Sequence, residues 1–410
     1  MTRTRDLSAQ GDAATTGEMQ AGTETALKGM SPANVSEAIT ALGGPSSSYD
    51  TRTSNTILAA GDNGGIIEIT GASTFTQTFT AAATLGATWS CVYKNSGTGD
   101  VTVDPNASET ISGLTSFIMY PGEARLIQCD GTNFHTIVLN TFIKKFLSGG
   151  TFTKPPGYQH FDVDVLGAGG GGGGGAKQAS WRGGGGGAGG MMAKQRLLSS
   201  AISASVTVTI GAGGAFGPDS DTLNGSAGGD TTFGAYIIAF GGEGGPHGAS
   251  GAFADHAYGG SITQENGGIS TGYIAGNLST LGQSYGYNAG GTLWKITVAN
   301  NNPPQAGIGG LHSGATGGCG QIPSYAGSAG GVSGDINQLS GGGAAGAVAG
   351  AGAGTNGGAD VMEGGGGGSD GVGGDGGLGS GGGGGGRGTT TIGYNGGTGG
   401  DGAVTVFGVL

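Results

Sequence analysis

Five histidines, His135, His160, His247, His256 and His312, are the first residues to weigh for metal or proton chemistry. None stands in H-x-H or H-E-x-x-H spacing. His247, Asp255 and His256 share one insert and could meet around a metal, but a solvated polar loop is the simpler account of them. Asp219 and Asp221 offer calcium two carboxylates, too few for an ion that gathers six to eight oxygens. The other acids occur singly, so no carboxylate pair of the glycosidase kind is visible along the chain. Ser369 satisfies G-x-S-x-G within residues 367–371, yet a nucleophile elbow needs a strand before it and a helix after it, and glycine runs flank it instead. GGGGGAKQ puts Gln178 after Lys177, where a phosphate loop requires Ser or Thr. These patterns predict no catalytic residue, no metal and no cofactor.

Aromatic residues are the more informative set. Trp181, Phe253, Tyr258, Tyr273, Tyr285, Tyr287, Trp294, Tyr325 and Tyr394 all fall in inserts between glycine runs. Flat rings with a polar edge suit recognition of sugars or protein loops, because they give contact area at small entropic cost. The same rings would also serve to cover neighbouring glycine segments as a local core, and the sequence leaves both roles open. Tyr285, Tyr287 and Trp294 are the best candidates for exposure, since Asn and Gly surround them.

What must position these inserts is glycine. From Gly149 onward the chain holds 87 of its 103 glycines. In GVGGDGGLG, from Gly371, only Val372, Asp375 and Leu378 carry side chains, so Gly371, Gly374 and Gly377 share a three-residue frame. Thr398, Asp401 and Val404 repeat the spacing, as do Ala326, Ala329 and Val332. A period of three is neither helical nor strand-like; it belongs to the left-handed polyproline-II type of helix. That conformer makes no internal hydrogen bonds, so each N–H and C=O needs a partner from another segment. Each glycine costs about 0.5–1 kcal/mol more than alanine to order. A hydrogen bond contributes only about 0.5–1.5 kcal/mol net, so nearly every backbone group must pair. A bundle of side-by-side glycine helices is expected. A flexible linker fits less well, because serine is not the main companion and apolar strands bracket the block. Collagen is excluded by 11 prolines and no sustained G-X-Y frame.

Residues 1–45 read as a short adaptor, with Ser31-Pro32 starting a helix over ANVSEAITAL that Gly43-Gly44 stops. Residues 46–147 carry short alternating runs, among them GIIEIT, TFTQTFT, TWSCVYK, DVTVD and ARLIQC, separated by Gly, Asn and Asp turns. They predict an antiparallel β-sandwich-like module with Trp89, Cys91 and Tyr93 on one face, and Trp89 and Phe134 as core. Residues 148–410 form the glycine-rich part, opened by a strand carrying Phe161, Val163 and Val165 and closed by DGAVTVFGVL. The fold class is mainly β, with a β framework holding the first and last segments of the glycine-rich domain together. The three cysteines, Cys91, Cys129 and Cys319, lack C-x-x-C spacing and read by default as buried free thiols, with a Cys91–Cys129 bridge as the alternative.

Charge is uneven. Residues 1–196 carry 13 basic and 15 acidic side chains, and residues 197–410 carry 2 and 12. The acidic distal half argues against nucleic acid, whose phosphates demand Lys and Arg clusters. No apolar run reaches the roughly 18 residues of a membrane span, so no membrane insertion is expected. MTRTRDLSAQ lacks the apolar stretch of a secretory signal.

Three stretches resemble phage tail fibres. GEMQAGTETALKGMSPANVSEAI (17–39) is similar to a short tail-fibre repeat at Gln20 to Glu24 and at Ser31-Pro32. ATLGATWSCVYKNSGTGDVTVDPNASETISG, followed by YPGEARLIQCDGTNFHTI, resembles a β module of fibre proteins. FLSGGTFTKPPG through FDVDVLGAGGGGGGG, with the VFGVL end, resembles the glycine-rich tip of many fibres. The resemblance implies a homotrimeric receptor-binding protein of the virion tail, made in the host cytoplasm. Residues 1–45 would attach it to baseplate or tail proteins, and 46–147 would space and trimerise it. Residues 148–410 would display loops to a bacterial surface glycan or outer-membrane protein. Trp181, Tyr258, Tyr273, Tyr285, Tyr287, Trp294, Tyr325 and Tyr394 are then the candidate receptor contacts. A polysaccharide-cleaving tailspike and a non-binding structural component are the alternative readings.

Overall fold

The structure, a computed structural model, describes residues 48–177, 183–219, 223–248, 284–287, 353, 356, 365, 368, 371–386 and 393–410. The adaptor helix expected after Ser31-Pro32 lies outside them. The chain divides into two compact units, residues 1–140 and 141–410. Residues 143–146 thus belong to the second unit, ahead of the start at 148 expected from composition.

The first unit is built from β1 (Tyr49–Arg52), β2 (Ile66–Ile69), β3 (Phe75–Thr78), β4 (Ser90–Asn95), β5 (Val101–Asp104), β6 (Phe117–Met119), β7 (Ala124–Cys129) and β8 (Phe134–Asn140). They form a sheet in the order β1-β2-β4-β7-β8 and a smaller one in the order β3-β5-β6. The expected antiparallel arrangement is corrected: β1/β2, β2/β4 and β3/β5 pair parallel, and only β4/β7, β7/β8 and β5/β6 run antiparallel. From β2 to β5 the chain alternates between the two sheets, so each return strand runs in the direction of the one it joins. Stacked turns then lie very close. A Cβ on Gly97 would sit 2.0 Å from the carbonyl oxygen of Gly71, so no larger residue fits that crossing.

The alternation in TWSCVYKN is legible in the burial: Trp89, Cys91, Tyr93 and Asn95 are buried, and the residues between them are partly open. Trp89 and Phe134 are core, stacked edge-on at 6.2 Å, and the Trp89 indole N–H donates to the Ala59 carbonyl at 2.9 Å. Cys91 and Cys129 are buried free thiols; Cys319 lies outside the described residues.

The second unit opens with β9 (Ile143–Phe146), β10 (Gly150–Thr153) and β11 (His160–Leu166). It continues with β12 (Met192–Leu198), β13 (Ser205–Thr209), β14 (Thr231–Phe233), β15 (Ile237–Ala239), β16 (Ser284–Tyr287) and β17 (Ala403–Val409). One sheet has the order β16-β12-β11-β17-β9 and the other β10-β13-β14-β15. β11 and β17 pair from His160–Val409 to Leu166–Ala403, so the first and last segments of the glycine-rich part are held side by side, as expected. Phe161, Val163 and Val165 share the buried face. Phe142, Phe152, Tyr158, Phe161 and Phe233 pack ring to ring between 5.2 and 6.4 Å.

Beyond these sheets the glycine segments bond laterally with a three-residue repeat. Residues 167–175 continue directly from β11. Gly167, Gly170 and Gly173 donate to Met191, Ala188 and Gly185; Ala168 and Gly171 donate to Gly229 and Ser226; Gly169, Gly172 and Gly175 donate to Gly400, Gly397 and Tyr394. Their carbonyls receive from three further segments: Ala168, Gly171 and Gly174 from Gly242, Gly245 and Gly248; Gly169 and Gly172 from Gly214 and Gly217; Gly170 and Gly173 from Gly382 and Gly385. One segment therefore has six neighbours, three antiparallel acceptors and three parallel donors.

Those neighbours also bond to one another. Ala188 donates to Glu243, Gly228 to Gly242, Ser226 to Ala215, Gly399 to Gly214, Gly397 to Gly383, and Gly187 to Gly382. The six form a closed ring of alternating direction around residues 167–175. Backbone partners of this kind satisfy segments that have no bonds of their own.

Candidate binding surface at the loop end of the glycine lattice

Direction decides where the inserts emerge. Residues 167–175 leave β11, 211–217 follow β13, and 240–248 follow β15; all three run away from the sheets, and 379–386 run parallel to them. Residues 183–191, 223–230 and 393–402 run back, into β12, β14 and β17. Residues 177, 219, 248 and 386 therefore end, and 183, 223 and 393 begin, on the side opposite the sheets; the residues that directly follow 177, 219, 248 and 386 lie outside the described residues. Gly365 and Gly368 donate to Gly381 and Gly384 and run with them, while 371–377 run the other way. Ser369, between Gly368 and Gly371, lies outside the described residues.

The stems of these loops are tied by side chains. Lys177 Nζ reaches Asp219 Oδ2 at 3.2 Å, and the Asp219 N–H donates to Asn395 Oδ1 at 2.9 Å. Asn224 Oδ1 accepts the His247 N–H at 2.9 Å and faces His247 Nδ1 at 2.7 Å. His247 is thus engaged by an amide, whereas Asp255, His256 and Asp221 lie outside the described residues. Among the described residues no group of three or more His, Cys, Asp or Glu gathers as a metal site would require.

The acids of the lattice do a different job. Asp375 Oδ1 accepts the Thr398 N–H at 2.7 Å and its hydroxyl at 2.8 Å. Asp401 Oδ1 accepts the Gly213 N–H at 2.7 Å, Asp230 Oδ1 the Gly241 N–H at 3.0 Å, and Asn356 Oδ1 the Asp375 N–H at 2.9 Å. At these positions a side-chain oxygen takes the place of a backbone acceptor.

The structure separates the aromatic candidates. Tyr394 sits at the loop end, half-buried, its N–H donating to Gly386 at 3.0 Å and its carbonyl accepting from Gly175 at 2.8 Å. Tyr285 and Tyr287 are strand residues of β16, opposite Lys194 and Met192 of β12. They lie in a strand paired with β12 and not in a loop. Trp181, Phe253, Tyr258, Tyr273, Trp294 and Tyr325 lie outside the described residues. Two residues not singled out from sequence, Phe216 and Leu223, are exposed on the stems at the loop end. Their signal was an apolar side chain in a glycine-flanked insert with no strand alternation around it.

Of the structural glycines, Gly371, Gly374 and Gly377 present carbonyls to Gly386 at 2.9 Å, Gly383 at 2.7 Å and Ser380 at 2.9 Å. The intervening Val372 and Asp375 are exposed, and Leu378 packs against Leu166, Met192 and Ala403. Val372 and Asp375 therefore point outward, whereas Leu378, third in the same frame, packs inward. No helix among the described residues is long and apolar enough to cross a membrane.

Comparison with curated proteins finds no match to this chain. A family model described as a glycine-rich domain matches residues 147–407, from just after β9 to Phe407 within β17. With more than half of its length covered by that match, the chain belongs to the glycine-rich domain family.

Proposed function

We propose that this protein is a bacteriophage tail-fibre protein that binds the bacterial host surface through loops carried on a stiff glycine-rich tip. The tip is read as a bundle of polyglycine-II-type helices. The observation that carries the reading is that the ring of lateral bonds around 167–175 sends its connections to one end and its strands to the other. Such a scaffold lets loop sequence vary without disturbing the bonds beneath it, because those bonds are made by backbone alone. Rigid stems lower the ordering cost of binding, and several copies per virion raise avidity. The fibre resemblance of residues 17–39 and of the β module supports attachment to baseplate or tail proteins, a homotrimer, and a place in the virion tail. Adhesion to a surface glycan or an outer-membrane protein needs no catalytic residue and no cofactor.

Exchanging residues 246–258 and 270–305 for the corresponding loops of a relative tests this. Host adsorption is expected to follow the loops; unchanged adsorption overturns the reading. Release of sugar oligomers from host polysaccharide by the purified protein would favour a depolymerase instead.

A further inference from the structure

Lateral bonding between glycine segments has no built-in end, because each segment offers N–H and C=O groups to whatever lies beside it. Inside the ring around 167–175 those groups meet backbone. Among the described residues of the lattice, six amides meet an Asp or Asn Oδ1 instead. Asp230 takes the Gly241 N–H at 3.0 Å, and Asn224 the His247 N–H at 2.9 Å. Asp401 takes the Gly213 N–H at 2.7 Å, and Asn395 the Asp219 N–H at 2.9 Å. Asp375 takes the Thr398 N–H at 2.7 Å, and Asn356 the Asp375 N–H at 2.9 Å. Asn224, Asp230, Asn356, Asp375 and Asp401 are exposed, and Asn395 is half-buried.

The caps are spaced in register with the lattice. Asn224 and Asp230 stand two three-residue repeats apart on 223–230, as do the His247 and Gly241 amides that they hold on 240–248. Asn395 and Asp401 keep the same spacing on 393–402, facing Asp219 and Gly213 in the same antiparallel sense. At about 3.1 Å per residue the two caps of a pair lie about 19 Å apart, so each seam is held near both ends. Asp and Asn suit the task because the oxygen rides on a short stem that reaches an adjacent backbone amide. Space adds to the effect. Segments here approach so closely that a Cβ on Gly241 would sit 2.0 Å from the Gly228 carbonyl oxygen. A whole carboxylate beside such a seam takes the donor and fills the room that a further glycine segment would need. Sheets protect their edge strands against added partners with comparable devices.

We infer that these Asp and Asn side chains terminate the lattice, holding surface amides that would otherwise take on glycine segments of neighbouring copies. The inference goes beyond host binding and stands whatever the loops recognise. Light scattering of the full chain over a concentration series tests it. Two double variants each strip one seam: Asn224→Ala with Asp230→Ala, and Asn395→Ala with Asp401→Ala. Both are expected to associate at least about tenfold more strongly than the wild type, in species that grow with concentration. The double variant Asp230→Asn, Asp401→Asn keeps an acceptor oxygen at each position and loses the charge, so it is expected to match the wild type. Alanine pairs that associate no more than the wild type overturn the inference. So does equal association of the asparagine and alanine variants, since lost charge repulsion would then account for both.

Hydrogen exchange separates lattice growth from the clumping of a damaged chain. In the associated alanine variants the Gly213 and Gly241 amides are expected to be slowed again by acceptors from a second copy; amides that stay fast there overturn the proposal. Should a double variant fail to fold, Asp230→Ala alone leaves Asn224 on His247 and is expected to show the same gain in smaller measure. No gain in that variant overturns the proposal.

Discussion

A Cβ placed on Gly172 would sit 2.1 Å from the carbonyl oxygen of Gly383, the neighbour that runs parallel to it. Gly169, Gly170, Gly171, Gly173, Gly174 and Gly175 meet backbone oxygens of the surrounding segments at 1.9 to 2.0 Å in the same way. None of these glycines has a positive φ. Space, and not backbone freedom, fixes the residue type here. Gly172→Ala is therefore expected to destabilise the second unit by about 3 kcal/mol or more, since the obstruction is backbone. Gly149→Ala, whose Cβ would meet its nearest neighbour at 3.5 Å, should be close to neutral. Thermal unfolding of the two variants checks the contrast.

Hydrogen exchange should find the amides of 168–173 slowed at least about a thousandfold relative to free peptide. Each of them donates to another segment within the closed ring, and exchange requires that ring to open. Exchange within seconds across 167–175 would contradict the arrangement.

Asp375, exposed, accepts two bonds from Thr398, one from the N–H and one from the hydroxyl. Asp375→Ala is expected to cost about 1 kcal/mol, because the site is exposed and water takes over in part. Asp375→Asn keeps an acceptor oxygen and should cost less. Urea midpoints of the two variants, measured together, separate the acceptor role from the charge.

Burial pushes the Cys91 thiol up to about 12. A raised folded value means the thiol contributes its full stability below the unfolded thiol value and loses it as pH rises. From about pH 9 upward, the folded state should weaken by at most roughly 1.4 kcal/mol per pH unit on this account. Tyr93, also raised by burial, adds to the same trend. Cys91→Ala should show a shallower decline between pH 9 and 11, and the native thiol should stay silent to thiol reagents at pH 8.

In acid the opposite sign applies at one turn. The Asn133 N–H, the His135 side chain and the Thr132 N–H hold Asp130 down at about 2. Its contribution is present above the ordinary carboxylate range and is lost as pH falls through about 2. A carboxyl NMR titration of Asp130 should find it ionised at pH 3.

Much of this molecule is written in local patterns. The alternation of TWSCVYKN fixed which side chains enter the core, because side chains on a strand point to opposite faces in turn. FDVDV and AVTVFGV announced themselves as strands for the same reason. The frame of Val372, Asp375 and Leu378 announced where side chains could stand, since glycine alone fills the rest; Val372 and Asp375 face outward and Leu378 packs inward.

What the chain could not announce is who bonds to whom. Alternation reads the same in a parallel and an antiparallel strand, and the β1/β2/β4 pairing comes from the chain's passage between the two sheets. Glycine carbonyls are chemically alike, so nothing local picks Gly383 and Gly397 as the neighbours of Gly172. That choice is made by closure of the ring, which only a complete set of six segments can satisfy. The same closure sends the segment ends at 177, 219, 248 and 386 to one side, whereas strand pairing with β12 draws Tyr285 and Tyr287 to the sheet. Local composition set the building material; the partnerships required the three-dimensional fold, because each lateral bond joins residues distant in sequence.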